Sequence, residues 1–176
     1  AHPGRPERTI APQLFLAGHL ERLFDALDRF GGIRMDHDRL VAERRRYEES
    51  LRTSEARFRA LVEGVRDYAI IMLDTNGDVA SWNAGAEQIL GYEGNEVIGT
   101  HVSRFLVQDG SQRERSRLEL ELASIEGRFQ DEALRVRKDG TEFWANVLLT
   151  ALRDSRGALI GFSQITRDLT ERKKHE

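Results

Sequence analysis

The first part of the chain carries apolar residues at helical spacing. They recur four and three positions apart, as Leu16, Leu20, Leu23, Leu27 and Phe30. Because this spacing follows the 3.6-residue turn, it predicts a helix over residues 13–31 that ends at Gly31-Gly32. All three prolines, Pro3, Pro6 and Pro12, precede that helix, so residues 1–12 are expected to form a flexible lead-in.

A second periodic segment predicts a helix over residues 36–63. Its heptad seam combines two sets of positions, which are Leu40, Tyr47, Ser54 and Leu61, and then Arg44, Leu51, Phe58 and Val65. The apolar stripe is narrow, and a long polar helix is poorly stable alone. The pattern therefore favours a parallel homodimeric coiled coil with Leu40, Tyr47, Leu51 and Phe58 in its seam. The alternative is a solvated helix that lies on its own domain.

After Val65 the pattern changes to short apolar runs between turn signals. Asn76-Gly77 separates residues 69–74 from 79–82 and predicts a hairpin. Helices are expected at residues 83–90, 94–97 and 110–124, the last with Leu118, Leu122 and Ile125 on one side. Three further strands are predicted at residues 129–137, 142–153 and 159–168. This order predicts an α+β fold, a five-stranded antiparallel sheet with helices on one face, preceded by the long N-terminal helices.

Composition narrows the classes of function. The 176 residues include 27 basic and 30 acidic side chains, for a net charge of −3, and no cysteine. Mixed charge provides no basic face for nucleic acid or an anionic membrane. The lack of cysteine excludes disulfides, cysteine-held metals, a thiol nucleophile and a chromophore attached through sulfur. Without a long apolar run we expect a cytoplasmic protein, and the polar helical ending indicates a fragment.

Several short motifs occur in a characteristic order. They are residues 54–62 (SEARFRALV), 82–87 (WNAGAE), 90–92 (LGY), 97–99 (VIG), 137–140 (RKDG), 143–146 (FWAN), 161–162 (GF) and 168–172 (DLTER). In this order they resemble the PAS domains of bacterial signalling proteins. The resemblance implies a PAS fold over residues 64–168, followed by the start of an output helix at 169–176.

The resemblance also implies a role. PAS modules pass a signal to a C-terminal output domain, such as a histidine kinase or a cyclic-dinucleotide enzyme, and are not catalysts themselves. No catalytic residue is therefore expected. Asp168 and Thr170 form the signal junction of this interpretation, since either could cap the first turn of the exit helix. His175-Glu176 resembles the start of a kinase phospho-acceptor box, but it follows the exit motif too closely and is interpreted as an ordinary helix position.

A ligand pocket would lie under the helices. Strand alternation places Phe143, Ala145 and Val147 on the apolar face of their strand. The family's register points Ile160, Phe162, Gln164 and Thr166 inward on the last strand. With Phe105 and Leu118, the pocket residues are then Phe105, Leu118, Phe143, Ala145, Val147, Phe162, Gln164 and Thr166.

We expect no cofactor and no metal in this pocket. Flavin adduct chemistry needs a cysteine, and Val102 and Ala145 stand where the cysteine and a binding amide would be. Non-covalent flavin near Trp144, Gln164 and Thr166 is one alternative, although Trp144 is better interpreted as an outer-face residue. Heme on His101 is another, although a lone histidine is more often a capping or surface residue. A small polar metabolite is a third alternative: if Asp131 and Arg135 face inward, they could form a buried pair or bind an anion, but solvated charges are the favoured interpretation.

Overall fold

A computed structural model describes residues 12–175, so residues 1–11 of the predicted lead-in lie outside it. The chain divides after Glu55 into two units. The elements are α1 (Pro12–Gly64), β1 (Ala69–Leu73), β2 (Val79–Trp82), α2 (Ala84–Leu90), α3 (Gly94–Val97), a 3₁₀ turn (Val102–Phe105), α4 (Gln112–Glu126), β3 (Arg128–Val136), β4 (Glu142–Arg153), β5 (Leu159–Asp168) and α5 (Thr170–Lys174).

Helix α1 is continuous, and the predicted break at Gly31-Gly32 is wrong. The helix runs for 53 residues through both glycines, and neither has a positive φ. Glycine in a helix costs only about 1 kcal/mol relative to alanine, and unlike proline it keeps its N–H. Of the predicted stripe, the side chains of Leu16, Leu20 and Phe30 lie outside the described part of the structure. Those of Leu23 and Leu27 are exposed.

The second unit contains a five-stranded sheet in the order β2-β1-β5-β4-β3. Every neighbouring pair is antiparallel. Helices α2, α3 and α4 and the 3₁₀ turn contribute to a single core on one face of the sheet. The predicted α+β fold, with its antiparallel sheet, its helices and a long helix ahead of it, is confirmed.

The core lies on the face of β4 that strand alternation predicts. Phe143, Ala145 and Val147 are buried, whereas Trp144 between them is 43% exposed. On β5 the expectation fails at Ile160, which is 59% exposed. The register of β4 and β5 shifts there, because Leu152 pairs with Gly161 and Arg153 with Leu159. Ile160 is the extra residue of this bulge, and Leu159 packs against the core instead.

Helix α4 turns a different face to the sheet from the one predicted. Leu118, Leu122 and Ile125 are 45%, 44% and 71% exposed. The inner face carries Ser116 and Ala123, which are buried, together with the partly buried Leu120. Leu118 therefore does not line the core. Small residues at these inner positions let the helix lie close to the sheet, which leaves the larger leucines outside.

Among residues 12–175, no helix combines the length and the apolar character needed to cross a membrane.

Candidate functional site

Strand β5 passes into helix α5 at a tightly bonded junction. Asp168, the last residue of the strand, lies opposite Ala145 of β4. The backbone N–H of Leu169 then donates to the carbonyl of Trp144 at 2.9 Å. The Leu169 side chain is buried, at 3% exposure. The first turn of α5 is therefore anchored to β4, the strand next to β5.

The Asp168 carboxylate joins three parts of this junction. Oδ1 accepts from the backbone N–H of Thr170 at 2.8 Å and also from the Thr170 hydroxyl. Oδ2 accepts from Nη2 of Arg137 at 2.6 Å. Of the two residues that the sequence nominated as caps, Asp168 thus supplies the oxygen and Thr170 supplies the donors. One side chain holds both the start of α5 and the arginine.

Arg137 extends this network into the helical layer. Its Nη1 donates to the carbonyl of Ile89 near the end of α2, and its guanidinium lies 3.9 Å from the centre of the Phe143 ring. Arg137 is a functional residue that was not predicted from the sequence. Arg137 is the first residue of the RKDG motif, which was noted in the sequence. Nothing in that motif indicates that Asp168, 31 residues later, is the partner of Arg137.

Asp168 is ionised more readily than an ordinary aspartate. Partial burial alone would raise its pKa, but the hydrogen bonds from Thr170 and Arg137 outweigh burial, and the net effect lowers the pKa. The native contacts therefore favour the carboxylate that accepts both sets of hydrogen bonds.

A second buried polar group, which sequence reasoning missed, lies where α1 ends and the sheet begins. The Asn83 side chain is 2% exposed. Its Oδ1 accepts from the backbone N–H groups of Ile70 and Ala86 at 2.9 and 2.8 Å. Its Nδ2 lies within 3.2 Å of three carbonyl oxygens, those of Val62, Val65 and Tyr68. The visible signal was an asparagine directly before α2, which is typical of a helix cap.

Seven of the eight nominated pocket residues are buried in the core, and Leu118 is the exception. Phe105 belongs to an aromatic cluster, because its ring lies 5.3 Å from that of Trp82 and 5.8 Å from that of Tyr92. Gln164 and Thr166 are 4% and 1% exposed. Between them is one long contact, from Gln164 Nε2 to Thr166 Oγ1, at 3.4 Å. Trp144 lies on the outer face with Lys173 Nζ 5.2 Å from its ring centre, so it is not a pocket residue.

Arg135 faces inward, against the favoured interpretation of solvated charges. Its side chain is 4% exposed and its Nη2 lies 3.1 Å from each carboxylate oxygen of Glu119 on α4. Asp131, by contrast, is exposed. Residues four apart on a strand share a face, and Phe129 on that face also packs against the core, yet Asp131 between Phe129 and Arg135 remains exposed. Arg135 therefore pairs with Glu119 on α4 and not with Asp131 on its own strand.

His101 caps the 3₁₀ turn, as the capping interpretation expected. Its Nδ1 accepts from the backbone N–H of Ser103 at 3.2 Å. Burial, followed by repulsion from Arg113, lowers the pKa of His101 and favours the neutral ring that can accept. Among the residues that the structure describes, no three His, Asp or Glu side chains cluster as a metal site would require.

The predicted seam residues are exposed on α1. Leu40, Tyr47, Leu51 and Phe58 are 64%, 72%, 50% and 62% exposed. These large apolar side chains therefore remain accessible to a partner.

Comparisons with known proteins identify the family to which this fold is similar. A family model described as "PAS domain" matches residues 67–171. Among curated proteins, "Two-component system protein A" of Emericella nidulans is 44% identical over 119 residues. That alignment covers 68% of this chain but 17% of the relative, so the chain spans only a small part of that protein's length.

Two solved structures share the fold. One is the PAS domain of a protein from Colwellia psychrerythraea, with a TM-score of 0.60 and 24% identity, covering 68% of this chain and 98% of the other. The second is the PAS domain of an HTR-like protein from Haloarcula marismortui, with a TM-score of 0.59 and 28% identity, covering 70% of this chain and 98% of the other.

The Asp168 network makes a prediction about stability and pH. Asp168→Asn keeps an acceptor for Thr170 but turns an uncharged amide towards Arg137, so unfolding free energy at neutral pH should fall by about 1 to 2 kcal/mol. The lowered native pKa means that the stabilisation is full above the unfolded value of about 3.9 and is lost as pH falls through the native value. The difference between parent and variant should therefore shrink below about pH 4.

Urea unfolding followed by tryptophan fluorescence measures this difference at each pH. Asp139→Asn is the matched control, because Asp139 accepts from the backbone N–H and hydroxyl of Thr141 in the same Asp-x-Thr arrangement. Within the described part of the chain, no arginine donates a hydrogen bond to its other oxygen. Equal losses in the two variants would show that the Arg137 contact contributes nothing.

Proposed function

This chain belongs to the PAS domain family, and we propose that it is a sensor and relay module that passes a signal through α5 to a C-terminal output domain. The observation that carries the proposal is the Asp168 carboxylate, which holds the first turn of α5 and Arg137 together. A two-component protein among the relatives supports a histidine kinase as the output. In this proposal the module acts in the cytoplasm, where kinase ATP is available, and does no chemistry itself.

The junction suits a relay because small shifts there change directional bonds. Any displacement of β5 against β4 moves Asp168 relative to Arg137, which is held to α2 through Ile89. A hydrogen bond to a charged group contributes about 1.5 to 3 kcal/mol. Two arrangements of a signalling protein need differ by only a few kcal/mol for a stimulus to switch them. The bonds at Asp168 are therefore large enough to bias the exit helix.

We include a homodimer in the proposal, formed through the α1 seam. Leu40 and Leu51 are 64% and 50% exposed, and burying a leucine side chain is worth about 1.5 to 3 kcal/mol. A second copy presents the same seam, so parallel pairing would remove both sets of side chains from water.

We also propose that the core holds no tightly bound cofactor, since the buried apolar residues nominated for a pocket, Phe105 among them, pack together in one core cluster. The second candidate function is a ligand-gated PAS sensor that binds flavin, heme or a small metabolite. One observation favours it: the buried Gln164 and Thr166 share a single 3.4 Å contact, which leaves hydrogen-bonding capacity in the core.

Dimerisation through the seam is tested with Leu40→Asp/Leu51→Asp. Two buried carboxylates per chain would each cost several kcal/mol, so light scattering should report a monomer. The control is Met35→Asp/Ala56→Asp, which adds the same charge at exposed positions on the opposite side of the heptad. It should remain dimeric. A seam variant that stays dimeric would place the contact elsewhere.

An absorption spectrum distinguishes the two candidate functions. Protein purified without added cofactor should show no absorption band at wavelengths longer than the band of its aromatic side chains. Heme and flavin would each add a band in the visible range. Native mass spectrometry of the same sample covers colourless metabolites. A stoichiometric bound molecule by either method would favour the ligand-gated sensor.

The relay itself is tested in a fusion of the full chain to a histidine kinase. Asp168→Ala should change basal autophosphorylation about fivefold or more, which corresponds to about 1 kcal/mol between the two kinase states. Asp139→Ala is the control and should leave activity unchanged. Melting curves establish that both variants are folded. Unchanged kinase activity in a folded Asp168 variant would leave the junction as a simple strand-to-helix boundary.

A further inference from the structure

The continuity of α1 gives a single heptad register across the predicted seam. With Leu51 and Phe58 at position a, and Leu40 and Tyr47 at position d, Arg44 occupies an a position between two apolar layers. A charged residue at an a position is costly unless a partner neutralises it. In a dimer, Arg44 therefore needs an acidic group close to its guanidinium.

Within its own chain Arg44 has one acidic contact. Its Nε donates to Oε1 of Glu48, one turn later, at 2.9 Å, and the Arg44 side chain is 80% exposed. The two Nη groups have no partner among the described residues. Because guanidinium carries five N–H donors in a planar fork, most of its donor capacity remains.

Glu43, the residue before Arg44, occupies position g. It accepts from Arg39 Nε through Oε1 at 3.1 Å, and its side chain is 55% exposed. In a parallel dimer, a g residue faces the partner's next e position, which here is Glu48. Two glutamates would therefore oppose each other on each side of the seam unless a cation lies between them.

We propose that Arg44 pairs with the partner's Glu43 in a parallel, in-register homodimer, and that this charged layer sets the alignment of the two helices. The inference rests on the homodimer of the proposed function. Arg44 lies between Glu48 of its own helix and the partner's Glu43, and so removes the repulsion between the two acids. A shift by one heptad would place one Arg44 beside the partner's Asp36 and the other beside the partner's Ser50, so one of the two arginines would lose its carboxylate from the other chain.

A charge exchange between chains tests the pairing. Arg44→Glu and Glu43→Arg are made in separate, differently tagged chains. In each homodimer, the two facing residues at position 44 carry like charges, and so do the contacts between position 44 and the partner's position 43. The mixed dimer has opposite charges at the facing positions 44 and in both contacts between positions 44 and 43. Contacts within each chain are the same in homodimer and heterodimer, so they cancel in the exchange equilibrium.

The two variants are unfolded in urea together, refolded and counted by native mass spectrometry. Heterodimers should exceed about 80% of the dimers, against about 50% for random pairing. Arg45→Glu and Glu49→Arg form the control pair, since both sites are exposed and lie away from the seam. That pair should mix at random.

Random mixing of the Arg44 and Glu43 variants, with dimers present, would overturn the charged layer while leaving the homodimer intact. A parent chain that is monomeric at every concentration would overturn both the layer and the dimer.

Alignment is measured separately by cross-linking, because the chain has no native cysteine. Leu40→Cys and Ser54→Cys, each in its own chain, should form self-linked dimers on mild oxidation. Efficient linking only between a Leu40→Cys chain and a Ser54→Cys chain would indicate an antiparallel or shifted pair and would overturn the proposal. In the parallel alignment, adding Arg44→Leu should reduce the yield of self-linked dimers and allow links between the two sites.

Discussion

One buried amide holds together the end of α1, the first strand and α2. Asn83 accepts from backbone N–H groups on β1 and α2, and its amide nitrogen lies among carbonyl oxygens at the close of α1. Val62 lies in the last turn of α1, whereas Val65 and Tyr68 lie in the connection to β1, where neither a helix nor a strand ladder supplies donors in a regular pattern. Leaving such groups buried without partners costs about 1 to 3 kcal/mol each. The packing of the helical layer on the sheet depends on this side chain.

The exit from the domain uses the same kind of device. Asp168 caps α5 and pairs with Arg137, which itself reaches the last turn of α2. Asn83 and Asp168 lie near the same edge of the sheet, because Ala69 of β1 pairs with Thr166 of β5. The apolar core lies next to them, and the buried Arg135 is paired with Glu119. Apolar packing tolerates small sliding motions, whereas hydrogen bonds depend steeply on distance and angle. A module joined at both ends by polar groups can therefore turn a small strand movement into a discrete change of contacts.

The long helix α1 differs from the domain because it exposes large apolar side chains and a charged seam residue, Arg44. In the domain, the buried Arg135 finds Glu119 within the same chain. On α1, the seam leucines are exposed, and among the described residues Glu48 is the acid that pairs with Arg44. A second copy would supply both the apolar cover and the missing carboxylate. In this hypothesis, burial of the apolar seam drives the association of the two chains, and the charged layer selects their alignment.

Local pattern was enough to predict the architecture from the sequence. Strand alternation gave the correct face of β4, and turn glycines gave the bounds of β4 and β5, because both signals depend on neighbouring residues alone. Tertiary structure alone decided the bulge that exposes Ile160, the choice of Glu119 over Asp131 by Arg135, and the pairing of Arg137 with Asp168. Each of these depends on groups distant in sequence. Periodicity carries no information about which distant partner a polar side chain meets, since that is decided when the helices dock on the sheet.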